Sequence, residues 1–306
     1  MKRREFLKKS LGAGIFAGSV ASLGSGRIFA NTVNNESLPY DLVAIKDGKP
    51  EKMFDRAIEA MGGMGNFVKS GQQVVIKPNI GWDVSPERAG NTNPDLVKRI
   101  IEHCYEAGAK KVFVFDHTCD EWRKTYDTSG IEKAAKDADA TVAPGHSEDY
   151  YQTVEIPNGE TLKEAKEHEL ILESDVFINV PILKDHNSAR LTIAMKNLMG
   201  AIWDRSFWHR NGLQQCIADF ASYRQPDLNI VDAYRVMKRN GPRGVSTNDV
   251  ALMKYQILSD DMVAVDAAAT KIYGMEVGEV GHIKIAGEKG YGETDLSKLN
   301  VERLSI

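Results

Sequence analysis

Lysine, histidine, aspartate and asparagine side chains stand at the ends of four apolar segments of this chain. Lysine ammonium groups hold carboxylates or phosphates as point charges, and asparagine amides hydrogen-bond to hydroxyl groups. Aspartate and histidine ligate divalent cations or move protons. These residue types indicate a site for a small anion, with a divalent metal ion or an acid–base set beside it. The residues are Lys77 and Asn79 at the first end, Asp116 and His117 at the second, Asn179, Lys184 and His186 at the third, and Asp232 at the fourth.

The densest of these groups lies in residues 175–209, where a buried-strand pattern breaks at Pro181 into a predicted polar turn. The turn contains Lys184, Asp185 and His186, and a second polar pair, Lys196 with Asn197, follows it. Further on, Trp208 is followed by His209 among charged residues. This tryptophan is consistent either with a lid over a site or with a core side chain.

We expect specific roles for these residues if the four ends meet. The catalytic candidates are Lys184, His186 and Asp116; the ligand-binding candidates are Lys77, Asn79, Asn179, Lys196 and Asn197; the candidate ligands of a divalent metal ion are Asp116, His186 and Asp232. The alternative is a structural ion-pair network without any ligand. In such a network, truncation of one partner would strand a buried charge and destabilise the fold.

Alternating strands and helices must position these residues. The apolar pattern predicts strands over 73–77, 112–116, 176–180 and 228–232, and a helix over 95–107 between Pro94 and Gly108. Strand, helix and strand in this order form a βαβ unit, so the sheet should be mostly parallel. Ligands of such sheets bind beyond the carboxyl ends of the strands. We predict an α/β fold with a mostly parallel sheet flanked by helices and a small peripheral insertion or lobe at 145–172.

Residues 1–30 have the features of an export signal. Arg3 and Arg4 precede Phe6, a short apolar segment rich in glycine and alanine follows, and Ala30 ends a small-residue cleavage site. This pattern resembles a bacterial twin-arginine signal, which implies transport of the folded chain by the twin-arginine translocase. We expect a periplasmic or extracytoplasmic protein without stable membrane insertion after cleavage, a retained anchor being the alternative. Residues 31–306 are expected to form a single α/β domain with its core at about 42–273.

Charge and cysteine content argue against several partners. The first thirty residues hold six of the 39 basic and one of the 43 acidic residues, so the remainder has a net formal charge of −9. An acidic chain without a basic run argues against nucleic acid. The cysteines, Cys104, Cys119 and Cys216, form no C-x-x-C pair, so no iron–sulfur cluster is expected from this chain alone. A bridge between Cys104 and Cys119 stays open. The phosphate-binding-loop, serine-hydrolase, zincin and dinucleotide motifs are absent from the sequence.

Several ordered motifs resemble the bacterial and archaeal family called domain of unknown function 362. They lie at 74–79, 92–97, 107–112 with Asp116, 178–184 with His186, 195–200, 229–232 and 264–267. The resemblance implies an α/β fold and no established reaction. Some members of that family add a ferredoxin-like cysteine module, which this chain lacks. The architecture is also similar to the lactate-racemase type of enzyme, without a shared motif, and we base nothing on that likeness.

Three functions are compatible with these observations. The first is an exported enzyme that acts on a small anionic metabolite, with lysines binding the anion and an aspartate–histidine set holding a metal ion or moving a proton. The second is a non-catalytic periplasmic protein that binds a ligand. The third is a redox accessory protein that works with a separate iron–sulfur subunit. The sequence leaves the cofactor unknown.

Overall fold

A computed structural model describes residues 37–306, and the predicted twin-arginine signal at 1–30 lies outside the described residues. Within this part of the chain, residues 38–306 form one compact unit built around a ten-stranded sheet. The strands are β1 Leu42–Lys46, β2 Gln73–Pro78, β3 Lys111–Val114, β4 Thr141–Val142, β5 Tyr151–Glu155, β6 Glu164–His168, β7 Val176–Val180, β8 Ile182–His186, β9 Arg190–Thr192, β10 Leu228–Met237, β11 Val250–Ser259 and β12 Val301–Ser305.

Ten α-helices are present in residues 37–306, joined by shorter 3₁₀ turns. The helices are α1 Pro50–Ala60, α2 Pro94–Glu106, α3 Trp122–Thr128, α4 Ile131–Asp137, α5 Glu169–Glu173, α6 Ala194–Asn197, α7 Arg205–Arg210, α8 Leu213–Tyr223, α9 Met262–Tyr273 and α10 Gly281–Glu288. Helix α2 begins where the sequence predicts. The side chain of Asn93 accepts from the backbone N–H of Asp95, and Pro94 occupies the first turn, where its missing N–H costs nothing.

The sheet has the strand order β12-β1-β11-β10-β7-β2-β3-β4. Strands β10, β7, β2, β3 and β4 pair in parallel, whereas β11 is antiparallel to both β10 and β1. The prediction that the four apolar strands run the same way as neighbours is therefore confirmed, as is the mostly parallel α/β fold. The carboxyl ends of β2, β7 and β3 meet at one edge of the sheet.

Helices cover both faces of this sheet, as the alternation of side chains along a strand requires. Val74 and Ile76 pack with α1, α2 and α4 on one face. Val75 between them packs with α8, α9 and α10 on the other. Both faces are dry, which is why the central strands read as continuous apolar runs rather than as alternating ones.

The structure differs from the predicted secondary structure in the polar segment after Pro181. This segment is not a turn but the strand β8, which pairs in parallel with β10 and antiparallel with β9. Its charged sequence lacks an apolar pattern, and pairing with two neighbouring strands supplies the stability that local propensity does not. Strand β12, at the sheet edge beside β1, is a second element that the sequence analysis missed.

The predicted insertion at 145–172 contains a separate two-stranded sheet formed by β5 and β6. It is attached to the rest of the unit by a bridge between Glu167 and Ile202. The cysteines at 104, 119 and 216 are free thiols, so Cys104 and Cys119 are not bridged. Among residues 37–306, no helix has the length and apolar character needed to cross a bilayer.

Candidate functional site

Strand β8 explains how two predicted site residues come to face the same cavity. Side chains two positions apart on a strand point to the same side, so Lys184 and His186 share one face and Asp185 lies on the other. The carboxylate of Asp185 accepts from the backbone N–H of Gly241 at 2.8 Å, on the face of β8 opposite to Lys184 and His186. The sequence-predicted turn would not have imposed this alternation.

The cavity at the carboxyl edge of the sheet has a volume of about 450 Å³. Seven of the predicted residues line it: Asn79, Asp116, His117, Lys184, His186, Lys196 and Asn197. The segment after β8 returns as strand β9 and helix α6, which brings Lys196 and Asn197 back to the cavity. Lys77 and Asn179 are completely buried beneath it and do not line it.

Lys77 forms a buried ion pair with Asp116. Its Nζ atom lies 2.7 Å from Oδ1 of Asp116, and the other carboxylate oxygen accepts from the backbone N–H of Ile80 at 2.6 Å. Burial lowers the pKa of Lys77, and the negative charge of Asp116 opposes that shift. Gly200 packs against the pair so closely that a Cβ atom there would lie 1.8 Å from Oδ1 of Asp116. The pair is thus a structural element in the wall of the cavity.

Asparagine side chains form a directional chain of hydrogen bonds beneath the cavity. Asn79 donates to Asn197 at 2.9 Å, Asn197 donates to Asn179 at 2.9 Å, and Asn179 donates to Asn229 at 3.0 Å. The chain begins at Lys184, whose Nζ donates to Oδ1 of Asn79 at 3.1 Å. Because each amide presents its oxygen toward Lys184, the side-chain orientation of every member is determined by its neighbours.

The two lysines that face the cavity have different surroundings. Lys184 is buried and donates to Asn79 and to the backbone carbonyl of Gly90, the latter at 2.5 Å. Lys196 is half-buried, and its Nζ makes no hydrogen bond or ion pair with residues 37–306. Burial lowers the pKa of Lys184 to about 7. Burial, with the positive charges of Arg205 and Lys77, lowers the pKa of Lys196 to about 8.

His186 is held in one neutral tautomer. Its Nδ1 atom accepts from the backbone N–H groups of Ser188 and Ala189, each at 3.2 Å. The ring proton is therefore on Nε2, so that His186 offers a hydrogen-bond donor to the cavity. Burial and the charges of Lys196 and Lys184 lower the pKa of His186 to about 2, which keeps the ring neutral.

The predicted metal-binding set does not assemble. Asp232 lies outside the cavity, where its carboxylate accepts from the backbone N–H groups of Asn93 and Tyr234 and so anchors the start of α2. Burial raises its pKa to about 6. His186 has no ring nitrogen free as an acceptor, because Nδ1 is occupied and Nε2 is protonated. Within residues 37–306, no three His, Cys, Asp or Glu side chains are placed to hold one metal ion.

Helix α6 is short, and a buried carboxylate supports it. Asp266 on α9 accepts from the backbone N–H of Ala194 at 2.6 Å and from that of Met195 at 3.1 Å. These N–H groups belong to the first turn of α6 and have no partner within the helix. Burial raises the pKa of Asp266 to about 8. Asp266 thereby positions the turn that carries Lys196 and Asn197.

Arg205 is the main cavity residue that the sequence analysis missed. Its guanidinium donates to the backbone carbonyls of His117 and Thr118 at 2.8 and 2.7 Å, and it lies 3.5 Å from the thiol of Cys119. The sequence contains only part of the information that would identify Arg205. This residue follows Asp204, whose side chain accepts from the backbone N–H of Phe207 and caps α7. A cap at this point predicts a helix start but not which way Arg205 points.

His117 lies between this cavity and a second one of about 760 Å³ beside the β5–β6 hairpin. Its ring stacks on Trp203 with the ring centroids 4.8 Å apart, and its Nδ1 lies 3.0 Å from the carbonyl oxygen of Ile202. Burial lowers the pKa of His117 to about 4. Of the two alternatives for Trp208, the structure supports the core, because this side chain is buried against Phe220.

The family model described as domain of unknown function (DUF362) matches residues 74–271. The chain is 28% identical over 227 residues to the thylakoid-associated protein sll1697 of Synechocystis sp., an alignment that covers 72% of this chain and 68% of that protein.

Two solved structures are similar at low sequence identity. The lactate racemase apoprotein of Thermoanaerobacterium thermosaccharolyticum gives a TM-score of 0.42 at 12% identity, covering 73% of this chain. A protein of Thermotoga maritima gives a TM-score of 0.45 at 11% identity, covering 79% of this chain. The alignments span 55% and 60% of the lengths of those two chains.

Proposed function

This chain belongs to the family called domain of unknown function 362, and we propose that it binds a small anionic metabolite in the cavity at the carboxyl edge of its sheet. One observation carries the proposal: three cationic side chains line a cavity whose single carboxylate among the described lining residues is already paired. The cations are Lys184, Lys196 and Arg205, and the carboxylate is Asp116. Desolvated charges of one sign are costly, and an anion would offset that cost.

The hydrogen-bonding groups of the cavity match an anion in the same way. His186 presents an Nε2–H donor, and its acceptor nitrogen, Nδ1, is already occupied by two backbone N–H groups. The ammonium of Lys196 is unpaired among residues 37–306, so it is available for a carboxylate or phosphate oxygen. A volume of about 450 Å³ is in the range of small-molecule sites.

Ligand-induced stabilisation tests this proposal. Thermal unfolding of the full chain is measured with succinate, citrate and phosphate, and with chloride at matched ionic strength. A ligand present at about a hundred times its Kd stabilises the folded state by about 2.7 kcal/mol. We expect at least one anion to raise Tm in the parent and in Lys271→Met, an exposed control on α9, and to lose that effect in Lys196→Met. Equal stabilisation of both variants would contradict the proposal.

We propose that the folded protein acts outside the cytoplasm, on the strength of the twin-arginine pattern at Arg3 and Arg4. Changing both arginines to lysine leaves the charge and removes the recognised pair. The variant is expected to accumulate in the cytoplasm at full length, whereas the parent is recovered from the periplasm in a shorter form. Export of the double variant at the parent level would contradict this part of the proposal.

A further inference from the structure

Lys196 has the surroundings of a nucleophilic amine rather than those of a structural cation. Its Nζ has no hydrogen-bond or ion-pair partner among residues 37–306, and it faces the cavity. The neighbouring Lys184 differs, because its ammonium donates to Oδ1 of Asn79 and to the carbonyl of Gly90. Two acceptor partners fix the position of the Lys184 Nζ and favour its protonated form, whereas the Nζ of Lys196 has no such partner among residues 37–306.

Burial favours the neutral, reactive form of Lys196 and is the main reason why its pKa falls to about 8. The positive charges of Arg205 and Lys77 act in the same direction. Cys119 and Asp116 oppose the shift, although Asp116 is already paired with Lys77. A lysine is activated as a nucleophile in this way when it is desolvated beside other cationic groups.

We propose that the anionic ligand is a small oxo acid, a carboxylate that also bears a ketone or aldehyde, and that Nζ of Lys196 forms an imine with its carbonyl carbon. The inference rests on the proposed anion binding and gives it a chemical class. The carboxylate of the ligand pairs with Lys184 and Arg205, which line the same cavity. The carbonyl is thereby held beside Lys196, the lining lysine whose Nζ has no partner among residues 37–306.

The reaction balances without an oxidant or a reductant. The lone pair of neutral Lys196 attacks the carbonyl carbon, the electrons of the C=O π bond move to oxygen, and a proton passes from nitrogen to that oxygen. The resulting carbinolamine loses its hydroxyl together with the remaining N–H proton as water, and the nitrogen lone pair forms the C=N bond that replaces the C=O bond. The Nε2–H of His186 is available in the cavity to donate to the oxygen while charge develops on it.

Trapping by a hydride donor tests the imine directly. The full chain is incubated with pyruvate and sodium cyanoborohydride, which reduces an imine to a secondary amine, and its mass is measured intact and after proteolysis. We expect a mass gain of one pyruvic acid less one water plus two hydrogens, located on Lys196. Addition of the Cys119 thiol to the carbonyl is not fixed by this reagent, so it does not give the same product.

Two kinds of control separate the imine from anion binding. Propionate has the carboxylate without the ketone, and acetone has the ketone without the carboxylate. We expect no adduct with propionate and none at Lys196 with acetone at the same concentration. Lys196→Arg keeps the positive charge but lacks the nucleophile, so it should lose the adduct. Lys271→Arg, an exposed lysine replaced in the same way, should form the adduct as the parent does.

The outcomes distinguish this inference from the proposed function. Stabilisation by pyruvate and propionate without any adduct would overturn the imine and leave anion binding standing. No stabilisation by either, and no adduct, would overturn both. An adduct on Lys184, or adducts spread over surface lysines and formed equally with acetone, would overturn the assignment to Lys196. Because the adduct is located in the parent protein, the result does not depend on any variant folding.

Discussion

The Nζ atom of Lys77 lies 2.7 Å from Oδ1 of Asp116, and both side chains are almost completely buried. This contact divides the predicted site residues into two groups. Lys77, Asp116 and the asparagines hold one another, whereas Lys184, Lys196 and His186 have no carboxylate partner in the cavity. The structural network thus describes Lys77, Asp116 and the asparagines, and the ligand site remains a proposal for Lys184, Lys196 and His186.

Replacement of Lys77 by methionine should destabilise the protein strongly. The substitution keeps the length of the side chain but leaves the Asp116 carboxylate buried with one backbone donor, that of Ile80. Loss of one partner of a buried pair costs about 3–5 kcal/mol. Urea unfolding of Lys77→Met measures this, with Lys196→Met as the control that breaks no pair. A loss below about 1 kcal/mol in Lys77→Met would show that the pair does not stabilise the fold.

Gly200 should tolerate no Cβ atom. A methyl group there would meet Oδ1 of Asp116 at 1.8 Å and Nζ of Lys77 at 2.6 Å, and neither atom can move without breaking the pair. We expect Gly200→Ala to cost about 1–3 kcal/mol or more, as overpacking does. Gly278→Ala is the matched control, since its Cβ would meet nothing within 4 Å. Equal denaturation midpoints for the two variants would contradict this close packing.

The sequence allowed the fold to be predicted because its central strands are buried on both faces. Val74–Ile76 of β2 and Val176–Ile178 of β7 are continuous apolar runs for that reason. It did not reveal β8, in which Lys184 and His186 alternate with Asp185, because a strand that lines a polar cavity has no apolar period to detect. Strand β8 is stabilised by pairing with β10, which lies far from it in the sequence.

The candidate site was predictable in its members more than in their roles. Residues at strand ends converge because parallel strands end together, and this brought Asn79 and Asp116 to the cavity that Lys184 reaches from β8. Asp232 does not lie at a strand end, because β10 continues to Met237, and its side chain turns to the N-terminus of α2. The tautomer of His186 depends on two backbone N–H groups in the following turn, which no residue pattern encodes.

The asparagine chain predicts that an Asn→Asp substitution destabilises the protein more within the chain than on the surface. In Asn197→Asp, an oxygen replaces the Nδ2 donor that bonds to Oδ1 of Asn179 and to the carbonyl of Lys77. Two buried acceptors would then face a carboxylate. Each acceptor left unsatisfied lowers the free energy of unfolding by about 1–3 kcal/mol. Asn158→Asp, in an exposed turn, is the control and should be nearly neutral. Chemical denaturation compares the two, and similar midpoints would contradict the donor assignments along the chain.

Stability and anion binding should change in opposite directions as pH rises. The pKa values of Lys184 and Lys196 are about 7 and about 8 in the folded protein, against 10.5 for an ordinary lysine. Between about pH 7 and the ordinary value, the unfolded chain binds more protons than the folded one. The contribution of these two lysines to the free energy of unfolding therefore increases with pH over that range. Urea denaturation of the ligand-free chain at several pH values measures it, with Lys196→Met expected to show the smaller increase.

Binding of an anion requires the charged form of the same lysines. Sulfate keeps its charge across this range, so a change in its affinity reports on the protein, and His186 stays neutral throughout. Above the pKa of a lysine that must be protonated, affinity should fall by about tenfold for each pH unit. Arginine remains charged, so Lys196→Arg should bind sulfate with a shallower decline than the parent. Calorimetric titrations from about pH 6 to about pH 9 test this; an affinity that is constant, or that rises with pH, would show that neither lysine supplies the charge that holds the anion.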